Sequence, residues 1–232
     1  MPTKEIRATS KVIRTAPFFA LSLIITTVLF WGCAGIEEKP APKKEKKEPK
    51  VEVPSYESIS ASVAAGDLEE AIKKYKEATK NRPKEIGTRI LEANLLITAG
   101  KTEEARSILE ELRKKAPNNA EVLYNLSLIE SIEGNTQKRR SLLEKALEAN
   151  PKHADSRAGL GEVFMEKGET EKATKEFTSA LDNDPDNLVA RVGYGHALLR
   201  NKKYEKAVEQ LDKAIKLAPN FPYTYADRGR AK

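Results

Sequence analysis

Five prolines, Pro83, Pro117, Pro151, Pro185 and Pro219, follow one another at intervals of 34 residues. A period of that length repeats a supersecondary unit. One such unit cannot bury its apolar side alone, so the chain must stack neighbours into a continuous core. Seventeen residues before each proline stands Gly66, Gly100, Gly134 or Gly168, with Lys202 in the fifth unit. Twelve before it stands Ala71, Ala105, Ala173 or Ala207, with Arg139 in the third unit, and five before it Ala78, Leu112, Ala146, Ala180 or Ala214. Each feature has a mechanical reading. The glycine tolerates the positive φ at which a first helix ends. Asp67, Thr102, Thr136 and Thr170, within two residues of it, are the predicted N-caps of the second helix. The small alanine lets the two helices approach, and the proline closes the second helix.

With these residues in place the chain resembles the tetratricopeptide repeat, a helix-turn-helix unit of 34 residues. The resemblance implies an all-α, right-handed α-solenoid over residues 55–232: five repeats, then a helix over 222–232 that either opens another repeat or caps the array with polar side chains. The Leu-Gly pair of the family signature is present as Leu160-Gly161 and loosely as Tyr194-Gly195, and Arg89, Arg157 and Arg191 occupy the place of its tryptophan. Their methylene stems are expected to cover the core with the charges outward. The opening helix, residues 56–65, has few apolar residues. The third repeat departs from the pattern at Arg139 and again at Glu130, where an apolar residue belongs. Opposite charges pair at lower cost than either is buried alone, so Arg139 is expected to reach Glu130 or to snorkel outward, and Glu130→Ala to cost more stability than Arg139→Ala.

The N-terminal residues have a different character. Lys4, Arg7, Lys11 and Arg14 against the single acid Glu5 precede an uncharged stretch, residues 15–36, that is almost continuously apolar over 18–31. This is the layout of an export signal. It ends in Leu29-Phe30-Trp31-Gly32-Cys33, which resembles the lipobox of bacterial lipoproteins with bulky Phe30 and Trp31 in it; Cys33 is the only cysteine. The resemblance implies cleavage after Gly32 and lipid on Cys33, and two or more acyl signals hold a chain on a membrane. An uncleaved single span over residues 1–32 is the alternative, since ~20 apolar residues cross a bilayer. Either way the cations on the N-terminal side place the repeats outside the cytoplasm, in the bacterial cell envelope. Residues 33–54, with Pro40, Pro42, Pro49 and Pro54 among mixed Lys and Glu, read as an extended tether.

Little in the chain points to chemistry. The formal charge of +6 is concentrated partly in the leader, and the Lys and Glu of the repeats are interspersed, which disfavours nucleic acid as a partner. Two histidines and one cysteine offer no ligand spacing for a metal. His153 is expected in an exposed turn, and 182–184 lack the glycine and terminal Glu of a calcium loop. No phosphate-cradling glycine motif occurs. The expectation is therefore a protein without cofactor or catalytic residues, not an enzyme.

What remains is surface. In repeats of this family the inner groove is lined by the first helices, and the resemblance implies as groove residues Ile90, Asn94 and Ile97; Tyr124, Asn125 and Leu128 with Ser131; Ala158, Glu162 and Met165; Val192, His196 and Leu199. Ile97 and Leu199 either line the groove or pack between repeats. The row reads as mostly apolar and fits a peptide or helix of a protein partner. The chain also resembles the carboxylate clamp of some family members in Asn94 and Asn125, but Ile90, Asp155 and Gly159 stand where that clamp has cations. An acidic tail is thus disfavoured, and a partner with apolar anchors and a basic residue near Asp155, Glu162 and Glu166 fits better. The expected function is a membrane-anchored interaction scaffold; the alternative is a periplasmic chaperone or carrier shielding an apolar segment or lipid.

Overall fold

The computed structural model describes residues 55–81, 85–220 and 222–232, so Pro83 and the leader, Cys33 and tether expected over 1–54 lie outside the described residues. Among the described residues there are eleven α-helices and no strand. They are α1 (Tyr56–Ala64), α2 (Leu68–Ala78), α3 (Ile86–Thr98), α4 (Thr102–Lys115), α5 (Ala120–Ile132), α6 (Thr136–Ala149), α7 (Ala154–Glu166), α8 (Thr170–Asn183), α9 (Leu188–Arg200), α10 (Tyr204–Leu217) and α11 (Pro222–Ala231). Taken in pairs these are five helical hairpins and one further helix, as the repeat period predicts.

Every hairpin turn has one geometry. At the end of each first helix a residue of positive φ is flanked by two backbone bonds, for example Gly134 N–H to Ser131 O at 3.1 Å and Asn135 N–H to Glu130 O at 2.8 Å. This is the Schellman arrangement, which satisfies carbonyls that the helix leaves orphaned. Lys202 adopts it without glycine at φ 55, the only positive φ of a non-glycine residue among those described. The geometry also corrects an expected cap. The turn uses the residue right after the glycine as N-cap, so Lys101, Asn135 and Glu169 hold that place and Thr102, Thr136 and Thr170 fall inside the first turn. Only Asp67 caps as predicted, accepting from Glu70 N–H. At the other end the residue before each proline, Ala116, Asn150, Asp184 and Ala218, has φ between -141 and -136, pulled out of the helical region by the ring that follows.

The arginines at the family's tryptophan position do more than cover the core. Arg157 donates to Pro151 O at 2.9 Å and pairs with Glu176 on α8 at 3.0 Å. Arg191 likewise bonds Pro185 O and reaches Gln210, while Tyr225, 34 residues on, donates to Pro219 O at 3.0 Å. In these two repeats the guanidinium therefore latches the preceding interrepeat turn to its own hairpin, and Arg89 pairs instead with Glu92 at 2.6 Å.

Packing is aliphatic in the first repeats and aromatic further on. Ile72, Ile90, Leu96, Ile97, Leu109, Val122 and Ile129 form one cluster across three repeats. In the fourth and fifth, Phe177 is fully buried, and a Cβ on Gly161 or Gly193 would lie 2.6 or 2.4 Å from its ring. The glycine of the Leu-Gly pair is thus a space for a neighbouring side chain. From the second repeat on, each first helix packs on the first helix of the next repeat, whereas successive second helices do not pack on one another. The first helices α3, α5, α7, α9 and α11 consequently form the closed, inner row, and the second helices splay outside it.

Candidate interaction groove

The inner row is where the expected groove residues fall, and their exposure sorts them. Ile90, Leu128 and Val192 are buried and Ile97 has no exposure at all, so these side chains belong to the packed interior, Ile90 and Ile97 in the cluster that spans repeats. Leu199 packs partly against Leu198, Ala207 and Ala231. Tyr124, Glu162, Met165 and His196 keep partial exposure. The accessible floor is accordingly less apolar than the sequence suggests, because the apolar members of the row turn into the stack and leave polar ones to line the groove. The exposed large apolar side chains, Ile86, Tyr204, Leu217 and Tyr225, are not among the expected groove residues.

Charge defines the centre of the groove. Arg139 is 3% exposed and bonds Glu166 at 3.0 Å and Glu162 on α7. Glu130, 4% exposed, pairs instead with Arg106 at 2.7 Å and accepts from Asn135 at 2.9 Å, and Arg106 also holds Glu133 at 2.7 Å. The expected pairing of Arg139 with Glu130 inside one repeat is therefore not formed, and Arg139 does not snorkel to solvent. Each ion meets its partner on an adjacent repeat, since the stacking brings neighbouring hairpins closer to these side chains than the two are to each other. Burial acts most strongly on Glu130, yet the bonds from Arg106 and Asn135 hold its carboxyl below the usual range. At Glu162 burial wins over the charge and bond of Arg139, and its pKa is raised.

A second group lies at the N-terminal ends of α5 and α7. One ligand-type atom each of Glu121, His153 and Asp155 lie within 4.8 Å of one another. His153 is the N-cap of α7: its Nδ1 accepts the Ser156 N–H at 3.2 Å, and its side chain is 10% exposed rather than free in a turn. Its Nε2 lies 3.7 Å from Glu121, and its ring is 5.7 Å from that of Tyr124. Burial lowers the imidazole pKa most, but Glu121 and Asp155 together leave it raised. Asp155 accepts from Asn187 at 2.7 Å, and burial followed by the charge of Glu121 raises its pKa. The phenol of Tyr124 is pushed well above its usual range by burial, then by Asp155, Glu162 and Glu121. Sequence reasoning missed this group because its members lie 34 and two residues apart and meet only through stacking. The trio does not fit a metal as it stands: with Nδ1 accepting a backbone N–H, the proton is on Nε2, and no lone pair faces the carboxylates.

At the far end of the row His196 Nε2 lies 2.5 Å from Asp227 of α11, which also takes Arg230 at 3.2 Å.

A tetratricopeptide repeat profile matches residues 62–127 and 172–226, and a second one matches 133–187. The chain belongs to the tetratricopeptide repeat family. Among solved structures, the thermophilic TPR protein TTC0263 of Thermus thermophilus is 21% identical with a TM-score of 0.61, over 75% of this chain and 94% of that one. MamA is 23% identical over 68% and 93% with a TM-score of 0.48. YrrB, described as a TPR protein with an unusual peptide-binding site, is 20% identical over 75% and 89% with a TM-score of 0.47. At these identities the likeness shows the fold. No curated protein matches significantly.

Within this tetratricopeptide array, the two asparagines that resemble a clamp are not displayed as one. Asn94 and Asn125 are 5% and 1% exposed, and Asn125 spends its Nδ2 on Glu121 O at 2.9 Å. Their Oδ1 atoms are buried without a hydrogen-bond partner.

Proposed function

We propose that this chain is a membrane-tethered interaction scaffold of the bacterial cell envelope, without catalytic activity, that holds a segment of a protein partner in the groove of its repeats. The observation that carries the reading is the partly exposed row Tyr124, Glu162, Met165 and His196 along the closed row of first helices, on a scaffold whose other buried polar groups are mostly paired within the chain. Preformed rows of this kind suit an extended or helical segment, because the scaffold loses little entropy when it is covered. Among the described residues no helix is long and apolar enough to cross a membrane. Anchoring in this reading rests on residues 1–32 and lipid at Cys33, with 33–54 as the tether that sets the repeats off the bilayer outside the cytoplasm.

Cross-linking and pull-down from solubilised membranes test it. Tyr124→Ala with Met165→Ala should weaken capture by more than ~2 kcal/mol if these are hot spots, with helical content unchanged. Capture that survives both replacements moves the search to the outer helices. Cys33→Ser should leave a longer, unlipidated precursor; a wild-type protein that keeps residues 1–32 in the membrane establishes the single span instead.

A further inference from the structure

We propose that the partner segment carries a lysine or arginine whose cationic head seats between Glu121 and Asp155, beside the ring of Tyr124. The inference rests on the groove reading above and adds the chemistry of what the groove recognises.

Among the described residues, most carboxylates in the body of the inner row are paired with a cation of the chain itself. Glu130 has Arg106 at 2.7 Å, Glu166 has Arg139 at 3.0 Å, Glu162 shares that same guanidinium, and Asp227 has His196 at 2.5 Å and Arg230 at 3.2 Å. Glu121 and Asp155 occupy the same place on successive repeats, 34 residues apart, and among the described residues neither forms an ion pair with a lysine or arginine. Asp155 has one neutral donor, Asn187, at 2.7 Å. His153 stands between the two acids, but its Nε2 is 3.7 Å from Glu121 and its Nδ1 is engaged as an acceptor at the cap of α7. Two carboxylates this close, Asp155 partly buried and Glu121 open to solvent, repel, and a cation placed between them removes that repulsion while gaining both attractions.

Two further features fit a side-chain cation. The Tyr124 ring lies 5.7 Å from that of His153, which stands with both acids, so an aromatic ring borders the seat, and such rings attract ammonium and guanidinium groups. Asn125, one turn beyond Glu121 and bonded to its carbonyl, keeps a buried Oδ1 without a partner. An ammonium has three N–H donors and a guanidinium five, enough for two carboxylates. A divalent metal needs the Nε2 lone pair that the α7 cap denies it, and an anionic tail meets two negative charges.

The test uses the full chain in detergent and a phage-displayed library of random dodecapeptides. Peptides are selected on the wild type, and groove binders are those lost when Met165→Trp fills the groove. Groove binders should share a lysine or arginine at one position. Changing it to glutamine should weaken binding to the wild type by about tenfold, but by less than about twofold to Glu121→Gln/Asp155→Asn, read by fluorescence anisotropy. Thermal melts of that double variant within a few degrees of wild type show that it is folded. Groove binders without a basic position, or an equal penalty in both proteins, overturn the cation seat and leave the groove reading standing. A library with no binder sensitive to Met165→Trp overturns both. Calorimetric zinc binding that disappears with Asp155→Asn would assign the trio to a metal and overturn the proposal.

Discussion

Two acidic groups lie on the same inner face, built on neighbouring helices, and differ in where their counter-charge comes from. Glu162 and Glu166 share Arg139, a residue that replaces the small alanine of the repeat and reaches from the second helix of one hairpin to the first helix of the next. Glu121 and Asp155, at the N-terminal ends of those first helices, have only the imidazole of His153 between them and no lysine or arginine. The first group is closed: its acids are met from within the chain, and removing the arginine leaves both of them without a cation. The second is open, and its charges cost stability until something cationic arrives. A charged group that the chain neutralises itself is structure, and one that it leaves unbalanced is available to a partner.

The largest effect expected from breaking this contrast is at Arg139. Arg139→Ala strands Glu162 and Glu166, and chemical denaturation should show a loss of about 3 kcal/mol, the low end for a buried pair because their side chains keep 25% and 34% exposure. A loss well under 1 kcal/mol would mean that both acids escape to water and the closed group is not closed. Glu130→Ala comes next, at about 1 to 2 kcal/mol, since Arg106 keeps Glu133. That order reverses the one expected from the sequence, in which Glu130 and Arg139 are each other's partners, and measuring the pair decides between the two arrangements.

Acidity sharpens the comparison. His153, Asp155 and Glu162 have folded pKa values above their ordinary ones, so each contributes stability that is complete below the ordinary value and is lost as pH rises through the folded one. Glu130 is held below 4.5 and contributes stability above that value, lost as pH falls. The melting temperature should therefore peak on the acid side of neutrality and decline as pH rises above 6.5, the ordinary value for histidine. His153→Gln should flatten that decline, a difference of about 2 °C for a domain of this size. An unchanged profile would show that the imidazole does not sense the two acids.

The smallest effect belongs to the open group. Glu121→Gln with Asp155→Asn should shift stability by less than about 1 kcal/mol and in the stabilising direction at neutral pH, because the substitutions remove repulsion between two close carboxylates, a small term since Glu121 keeps 52% exposure. A clear destabilisation would make the pair a structural element like Arg139 and its acids.

The fold is legible in the amino-acid sequence, and the site only in part. The 34-residue period, the positive φ at Gly66, Gly100, Gly134 and Gly168, and the compact helix pairs over Ala71, Ala105, Ala173 and Ala207 all follow from local rules. Helical spacing places the groove row on one face, yet Ile90, Ile97, Leu128 and Val192 on it are core. Such spacing tells which residues share a face and not how far the next hairpin covers it.

By itself, then, the sequence determined the helices, their turns and their order, since these depend on backbone preferences within a few residues. Only the tertiary structure decided which charges meet. Arg139 bypasses Glu130 for Glu162 and Glu166, Arg106 takes Glu130 across 24 residues, and His153 becomes a buried cap beside Glu121 and Asp155. Those pairings depend on the offset and rotation between successive hairpins, which many weak packing contacts set together, so no local pattern encodes them.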